Sequence, residues 1–180
     1  MKVRRIVTGR NSAGKSVFTS DGGPPVHIEF EHVPGMEATL TWETRAEMSL
    51  PSDGRDVTAD TTSWVPQPGG TNLLVVTFPP DSVRTASSFD PVAAGAEYLR
   101  HMPGLASKYE RNAPGMHTTD TVDYAMLLDG AIVLELDDGQ QKELKPHDIV
   151  IQNGTRHAWR NRSDRSATML FVLTGSRVNE

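Results

Sequence analysis

The sequence predicts an all-β chain: an antiparallel β-barrel of the jelly-roll kind, with an N-terminal β extension and one short helix. Three observations carry this. Downstream of residue 121, short apolar runs alternate at regular spacing with turns bearing Asp-Gly, Asn-Gly or Pro. Upstream, residues 26–32 and 38–44 alternate apolar and polar side chains on either side of a Pro34-Gly35 turn, the pattern of half-buried antiparallel strands. Finally, 15 glycines and 12 prolines among 180 residues favour turns over long helices.

Taken in order, residues 2–8 and 15–19 read as a hairpin around the polar loop 9–14. That loop also matches the phosphate-binding pattern G-x4-G-K-S, from Gly9 to Ser16. Such a loop works only when a helix begins near its lysine and aims its amides at the phosphates. Here Val17-Phe18-Thr19 follow, then two glycines and two prolines, so an ordinary hairpin loop is expected and nucleotide binding is the remote alternative. Residues 46–72 form a long irregular connection, with an edge strand near Trp64-Val65 and the capacity to cover a pocket mouth. Residues 72–78 read as a buried strand closed by Pro79-Pro80. Asp90 as N-cap and Pro91 at the first helical position start a helix that Pro103-Gly104 stops. Six strands follow, at residues 122–128, 131–136, 141–144, 149–152, 157–160 and 167–173. The expected organisation is a single domain over residues 1–180, with residues 1–80 extending the sheets, a helix at 90–102 and a barrel core at 112–175.

The net charge of −5 and the lack of any basic cluster beyond Arg4-Arg5 exclude nucleic acid as an expected partner. With no cysteine, disulfides and thiolate metal sites are excluded, leaving His, Asp, Glu and backbone oxygens as donors. No apolar stretch has the length of a signal core or a membrane span, so a cytoplasmic protein with no membrane partner is expected.

Two histidines, His117 and His157, stand in β-type sequence near Thr119, Asp123 and Trp159. Residues 117, 119 and 123 differ by even numbers, so on a regular strand they share a face, here the barrel interior. Trp159 lies two residues beyond His157 on the same face, as a pocket wall or as core. Tyr124 is a candidate proton donor or an outer-face aromatic. Arg156 and Arg160 read as a solvated pair on the opposite face, and His147 as a turn residue.

These residues resemble the cupins, small β-barrels marked by the motifs G-x5-H-x-H-x3,4-E-x6-G and G-x5-P-x-G-x2-H-x3-N. Gly130 matches the last glycine of the first motif, which places His117 at its first histidine, Thr119 at the second and Asp123 at the glutamate. Gly154, His157 and Asn161 match the second motif, with Gln152 in place of its proline. The resemblance covers residues 112–175 and is similar to a subgroup of small bacterial proteins. It implies a homodimer and one divalent ion, Fe, Mn, Ni or Zn, held by His117, Asp123 and His157, a two-histidine, one-carboxylate face with open positions. The alternative is a metal-free pocket in which His117, Thr119 and His157 bind a ligand or act as acid and base. The expected function is an enzyme acting on a small oxygen-bearing metabolite, phenolic, hydroxy-ketone or polyketide-like, with His117, His157 and Tyr124 as catalytic residues and Thr119 and Trp159 contacting substrate. Oxygenation, decarboxylation, dehydration and isomerisation all remain open. The rival is a non-catalytic barrel that binds a small ligand.

Overall fold

A computed structural model describes residues 2–52 and 54–177. Eleven strands and two helices follow in order: β1 (Arg5–Arg10), β2 (Ser16–Gly22), β3 (Val26–Glu29), β4 (Glu37–Thr44), β5 (Thr71–Phe78), α1 (Ser82–Thr85), α2 (Pro91–His101), β6 (Thr121–Asp129), β7 (Ile132–Glu135), β8 (Gln141–Leu144), β9 (Ile149–Asn153), β10 (Ala158–Arg160) and β11 (Ala167–Gly175). The fold is an antiparallel jelly-roll barrel. One wall is a six-stranded sheet ordered β3-β4-β5-β11-β6-β9, the other a three-stranded sheet ordered β10-β7-β8, and β1-β2 form a separate hairpin.

Alternation sets which side chains fill the barrel. On β6, Thr121, Asp123, Ala125 and Leu127 are buried, while Tyr124, between them, is 51% exposed on the outer face. Leu40, Leu74, Leu127, Ile132 and Met169, contributed by both sheets, form the centre of the core. Burial of such side chains, at about 25 cal/mol per Å² of apolar surface, is the dominant stabilising term.

The helix begins where the cap chemistry places it: Asp90 Oδ1 accepts from the amides of Val92 and Ala93, with Pro91 behind it. Its Glu97 is buried and accepts from the amides of Glu31 and His32, fastening the helix to the turn after β3. Asn161 performs a similar service at the other end. Its side chain donates to the carbonyls of Phe78 and Arg165 and accepts from the Ser163 amide and hydroxyl, so the motif asparagine holds a turn.

Two expectations are corrected. No strand forms at Trp64-Val65; Trp64 is buried and its amide bonds to the Pro103 carbonyl, tying the long connection to the end of α2. The expected single helix is joined by the one-turn α1, too short to leave a periodic signature. The hairpin expected over the phosphate-loop pattern is present: Lys15 is followed by strand β2, and Asn11 Oδ1 takes the amides of Ala13 and Lys15, so a hairpin turn stands where nucleotide binding would require a helix. His147 is a turn residue, at φ 76° in the corner that Asp148 closes onto the Lys145 amide.

Candidate functional site

Ahead of β6 the chain makes two isolated antiparallel bridges, Tyr109 to His117 and His117 to His157. These extend the three-stranded sheet beyond β10. The backbones of His117 and His157 exchange both hydrogen bonds, at 2.9 and 3.0 Å, which puts the two side chains on one face. Their rings lie 4.2 Å apart between centroids. Tyr109 packs on His117 at 4.6 Å, and Trp159 meets His157 edge-on at 5.7 Å. His117 is 6% exposed and His157 2%.

The protonation state of this pair follows from its partners. His117 Nδ1 lies 3.1 Å from the Gly115 carbonyl, and His157 Nδ1 lies 2.9 Å from the Thr155 carbonyl. A carbonyl only accepts, so each Nδ1 carries the proton and each Nε2 presents a lone pair. Neither Nε2 makes a hydrogen bond among the described residues. Burial lowers the His117 pKa, opposed by its Gly115 bond and by Glu110. Burial, and then the neighbouring His117, push His157 down to about 4. Both imidazoles are therefore neutral near pH 7, with basic lone pairs in a sheltered space.

At the start of β6, Thr121 donates to Thr119 at 2.7 Å, both buried. Asp123 is buried with its Oδ1 unpartnered, and burial pushes its carboxyl up to about 6, opposed by the Thr121 hydroxyl. Gln152, cross-strand from Asp123, spends its amide on the carbonyl and hydroxyl of Thr155 and so holds the loop that presents His157.

Two arginines clamp the segment that carries His117. Arg156 pairs through two nitrogens with Glu110 at 2.7 and 2.8 Å and with Asp137 at 2.6 Å. Arg160 pairs with Glu135 at 2.5 Å and donates to the Pro114 carbonyl at 2.7 Å. The expected solvated pair is instead a double tie between residues 156–160 and residues 110–114. The parity was right, but the partners come from far along the chain.

The structure thus brings together His117, His157 and Trp159, with Thr119 buried nearby in sequence. Tyr124 does not join them. Its expected catalytic role is corrected by strand alternation, which turns it outward from β6 when Asp123 turns inward. The donor types suit a divalent ion: imidazoles whose Nδ1–H groups are held by carbonyls leave Nε2 as ligand, and Asp123 offers an orphaned oxygen. The geometry assembles two of the three expected ligands. Among the described residues no three His, Asp or Glu side chains are gathered to hold a metal. The reason is that the histidines extend one sheet while Asp123 sits in the other. The residue missed in the sequence is Tyr109, whose place depends on a bridge to a residue that local pattern does not reveal. Two surface grooves, one lined by Ser63, Gln67, Lys108 and Arg177 and one by Arg5, Val7, Thr41 and Trp42, do not include the histidines. Among the described residues no helix is long and apolar enough to cross a membrane.

No family model matches the chain. Phomopsin biosynthesis cluster protein C' of Diaporthe leptostromiformis is 48% identical over 58 residues, 32% of this chain and 31% of that protein. The cupin-domain-containing oxidoreductase fogC of Aspergillus ruber is 34% identical over 68 residues, 34% of each chain. The matched stretch therefore spans about a third of these curated relatives. Among solved structures, a cupin 2 conserved barrel domain protein from Salinispora arenicola superposes with a TM-score of 0.39 and 14% identity over 77% of this chain and 75% of that one. That fogC is named a cupin-domain protein agrees with the resemblance read from the two motifs. Both curated relatives described are fungal, so the bacterial grouping expected from sequence gains no support.

Proposed function

We propose that this chain is a cupin-type enzyme of specialised metabolism that takes a small, oxygen-bearing, enolisable or phenolic metabolite against His117 and His157. The observation that supports it most is the pair of neutral imidazoles, on side chains otherwise packed away from water, with neither Nε2 lone pair taken by a protein donor. A lone pair that no protein donor takes, on an imidazole fixed by its other nitrogen, is available to a ligand. The naming of relatives as biosynthesis-cluster proteins and an oxidoreductase agrees with this reading.

In this mechanism a neutral imidazole removes a proton from the substrate hydroxyl or from the carbon beside its carbonyl, and returns it at another atom. Trp159 and Tyr109 form the walls that orient a flat substrate and exclude water. With their Nε2 lone pairs given to a divalent ion, His117 and His157 would hold it, and its Lewis-acid polarisation of a substrate oxygen would take the place of the imidazole base. A second reading, a metal-free barrel that binds its ligand without transforming it, is favoured by the separation of Asp123 from the histidine pair.

Cobalt(II) titration separates the two. The metal-holding form of the enzyme reading expects stoichiometric binding with a visible absorption band, lost in both His117→Ala and His157→Ala. Absence of a band in the wild type, with ligand binding retained in both variants, favours the binding barrel.

A further inference from the structure

Cross-strand register lines up three rows of side chains on the outer face of the six-stranded sheet. In the middle row Tyr124 stands opposite Ile151 on β9 and Val172 on β11, and Val172 stands opposite Leu73 on β5. Two residues along each strand on one side lie Ile149, Met126, Leu170 and Val75, and on the other side Asn153, Val122, Thr174 and Thr71. Alternation turns these rows away from the core, since Asp123, Gln152, Phe171 and Leu74, which fall between them, are buried on the inner face.

The first two rows are wholly apolar or aromatic, and no charged residue occurs in any of the three. Among the described residues no element packs over their β9 end: Ile149 is 62% exposed, Ile151 50% and Tyr124 51%. An antiparallel sheet with one wet face ordinarily carries polar side chains there, and adjoining exposed apolar side chains mark a contact surface.

Area and charge choose the occupant. The rows span four strands, about 19 Å across and about 20 Å along, roughly 400 Å² in plan, and the sheet continues beyond them onto β4. That is the size of the apolar centre of a standard interface, which takes about 800 Å² from each partner with its polar rim. A flat, uncharged face is also self-complementary: turned about a two-fold axis it meets itself with no like charges opposed, and sheets stack on such faces about 10 Å apart.

We propose that this face seats a second copy of the chain, the two six-stranded sheets packing face to face about a two-fold axis with Tyr124, Ile149 and Ile151 as anchors. The face lies directly behind the strands of the site. Tyr124 and Ile151 alternate with Asp123 and Gln152, which point inward from the same strand pair, and Gln152 holds the Thr155 carbonyl of the loop that presents His157. The interface rests on the sheet face alone and holds whether or not the histidine pair is the reacting centre.

Sedimentation equilibrium of the full chain tests it. The wild type is expected at twice the chain mass of 19.7 kDa. Ile151→Lys and Tyr124→Lys should each weaken the dimer by about thirtyfold or more, because an ammonium group would be desolvated there without a partner. Phe18→Lys is the control: Phe18 is 77% exposed but lies on the β1-β2 hairpin, outside the rows, so the dimer should persist. All three positions are half exposed or more, so the variants should keep the circular dichroism of the folded chain. A second measurement adds no charge and uses the lack of any native cysteine. In Ile151→Cys the thiol should be shielded from a maleimide at high protein concentration and react on dilution, whereas in Phe18→Cys it should react alike at both. A monomeric wild type, whose face would then belong to a different partner, overturns the proposal. So does a dimer that survives both Ile151→Lys and Tyr124→Lys, or one lost equally in Phe18→Lys.

Discussion

Replacing Gly130 by alanine is expected to cost roughly 2–5 kcal/mol, a large share of the 5–15 kcal/mol typical of a folded domain. Gly130 sits in the turn between β6 and β7 with φ 89°, where an L side chain is strained by about 1–2 kcal/mol. A Cβ there would also lie 2.7 Å from both Ala167 Cα and the Ser166 carbonyl oxygen, backbone that can move only if β11 moves. Overpacking of that kind adds about 1–3 kcal/mol. Gly139 is the control: its φ is 69°, but nothing lies within 4 Å of its added Cβ, so Gly139→Ala should cost about 1–2 kcal/mol. Urea denaturation of the two variants checks this, and equal losses would show that close approach is not what fixes Gly130.

Asp123→Asn is expected to raise stability above pH 7, against the usual direction for a buried polar change. The Asp123 carboxyl is pushed up to about 6 from its ordinary 3.8, so the folded protein binds its proton more tightly than the unfolded chain. The stability linked to that proton is fully present below pH 3.8 and is lost as pH rises through 6. Loss over about two pKa units amounts to roughly 3 kcal/mol, which the asparagine would recover in part because its own amide needs partners. His157 runs the other way. Its folded value, about 4, lies below the ordinary 6.5, so its contribution is present above 6.5 and is lost as pH falls toward 4. Between pH 4 and 6 the two slopes oppose each other in the wild type. In Asp123→Asn the opposing slope of Asp123 is gone, and stability should fall more steeply on acidification through that window than in the wild type. Thermal denaturation from pH 4 to 8 measures it. A variant less stable than wild type at pH 8 would mean that Asp123 is a structural residue held by partners, not a carboxylate kept unpaired for a ligand.

Much of the fold is legible because its signals are local. The alternation in residues 38–44, the Asp90-Pro91 cap and the Asp-Gly and Asn-Gly turns each act within a few residues, and the structure places strands, helix and turns there. Which sheet a strand joins is not local. β6, β9 and β11 fall in one wall and β7, β8 and β10 in the other, a division set by long-range pairing that no window of sequence contains. The site divides in the same way. His117 and His157 were placed by motif spacing and by parity, and the backbone bridge between them bears out their meeting. Parity also speaks against Tyr124, whose odd offset from Asp123 turns it outward. Tyr109 lay in the polar loop Ser107-Lys108-Tyr109-Glu110 with no period to mark it; the one available hint was a single aromatic among charges. Arg156 and Arg160 were read on the correct face, but their acidic partners are separated from them by long stretches of chain.

The central claim is that His117 and His157 stand as neutral imidazoles with protonated Nδ1 and open Nε2. Long-range proton–nitrogen correlation spectra of the side chains of nitrogen-15-labelled protein test it most directly. The expected spectra at pH 7 show both rings as the Nδ1–H form, with the Nε2 shifts of an unprotonated nitrogen and no titration of His157 until the pH approaches 4. Rings protonated at Nε2, or a His157 that titrates near 6.5, would contradict the account.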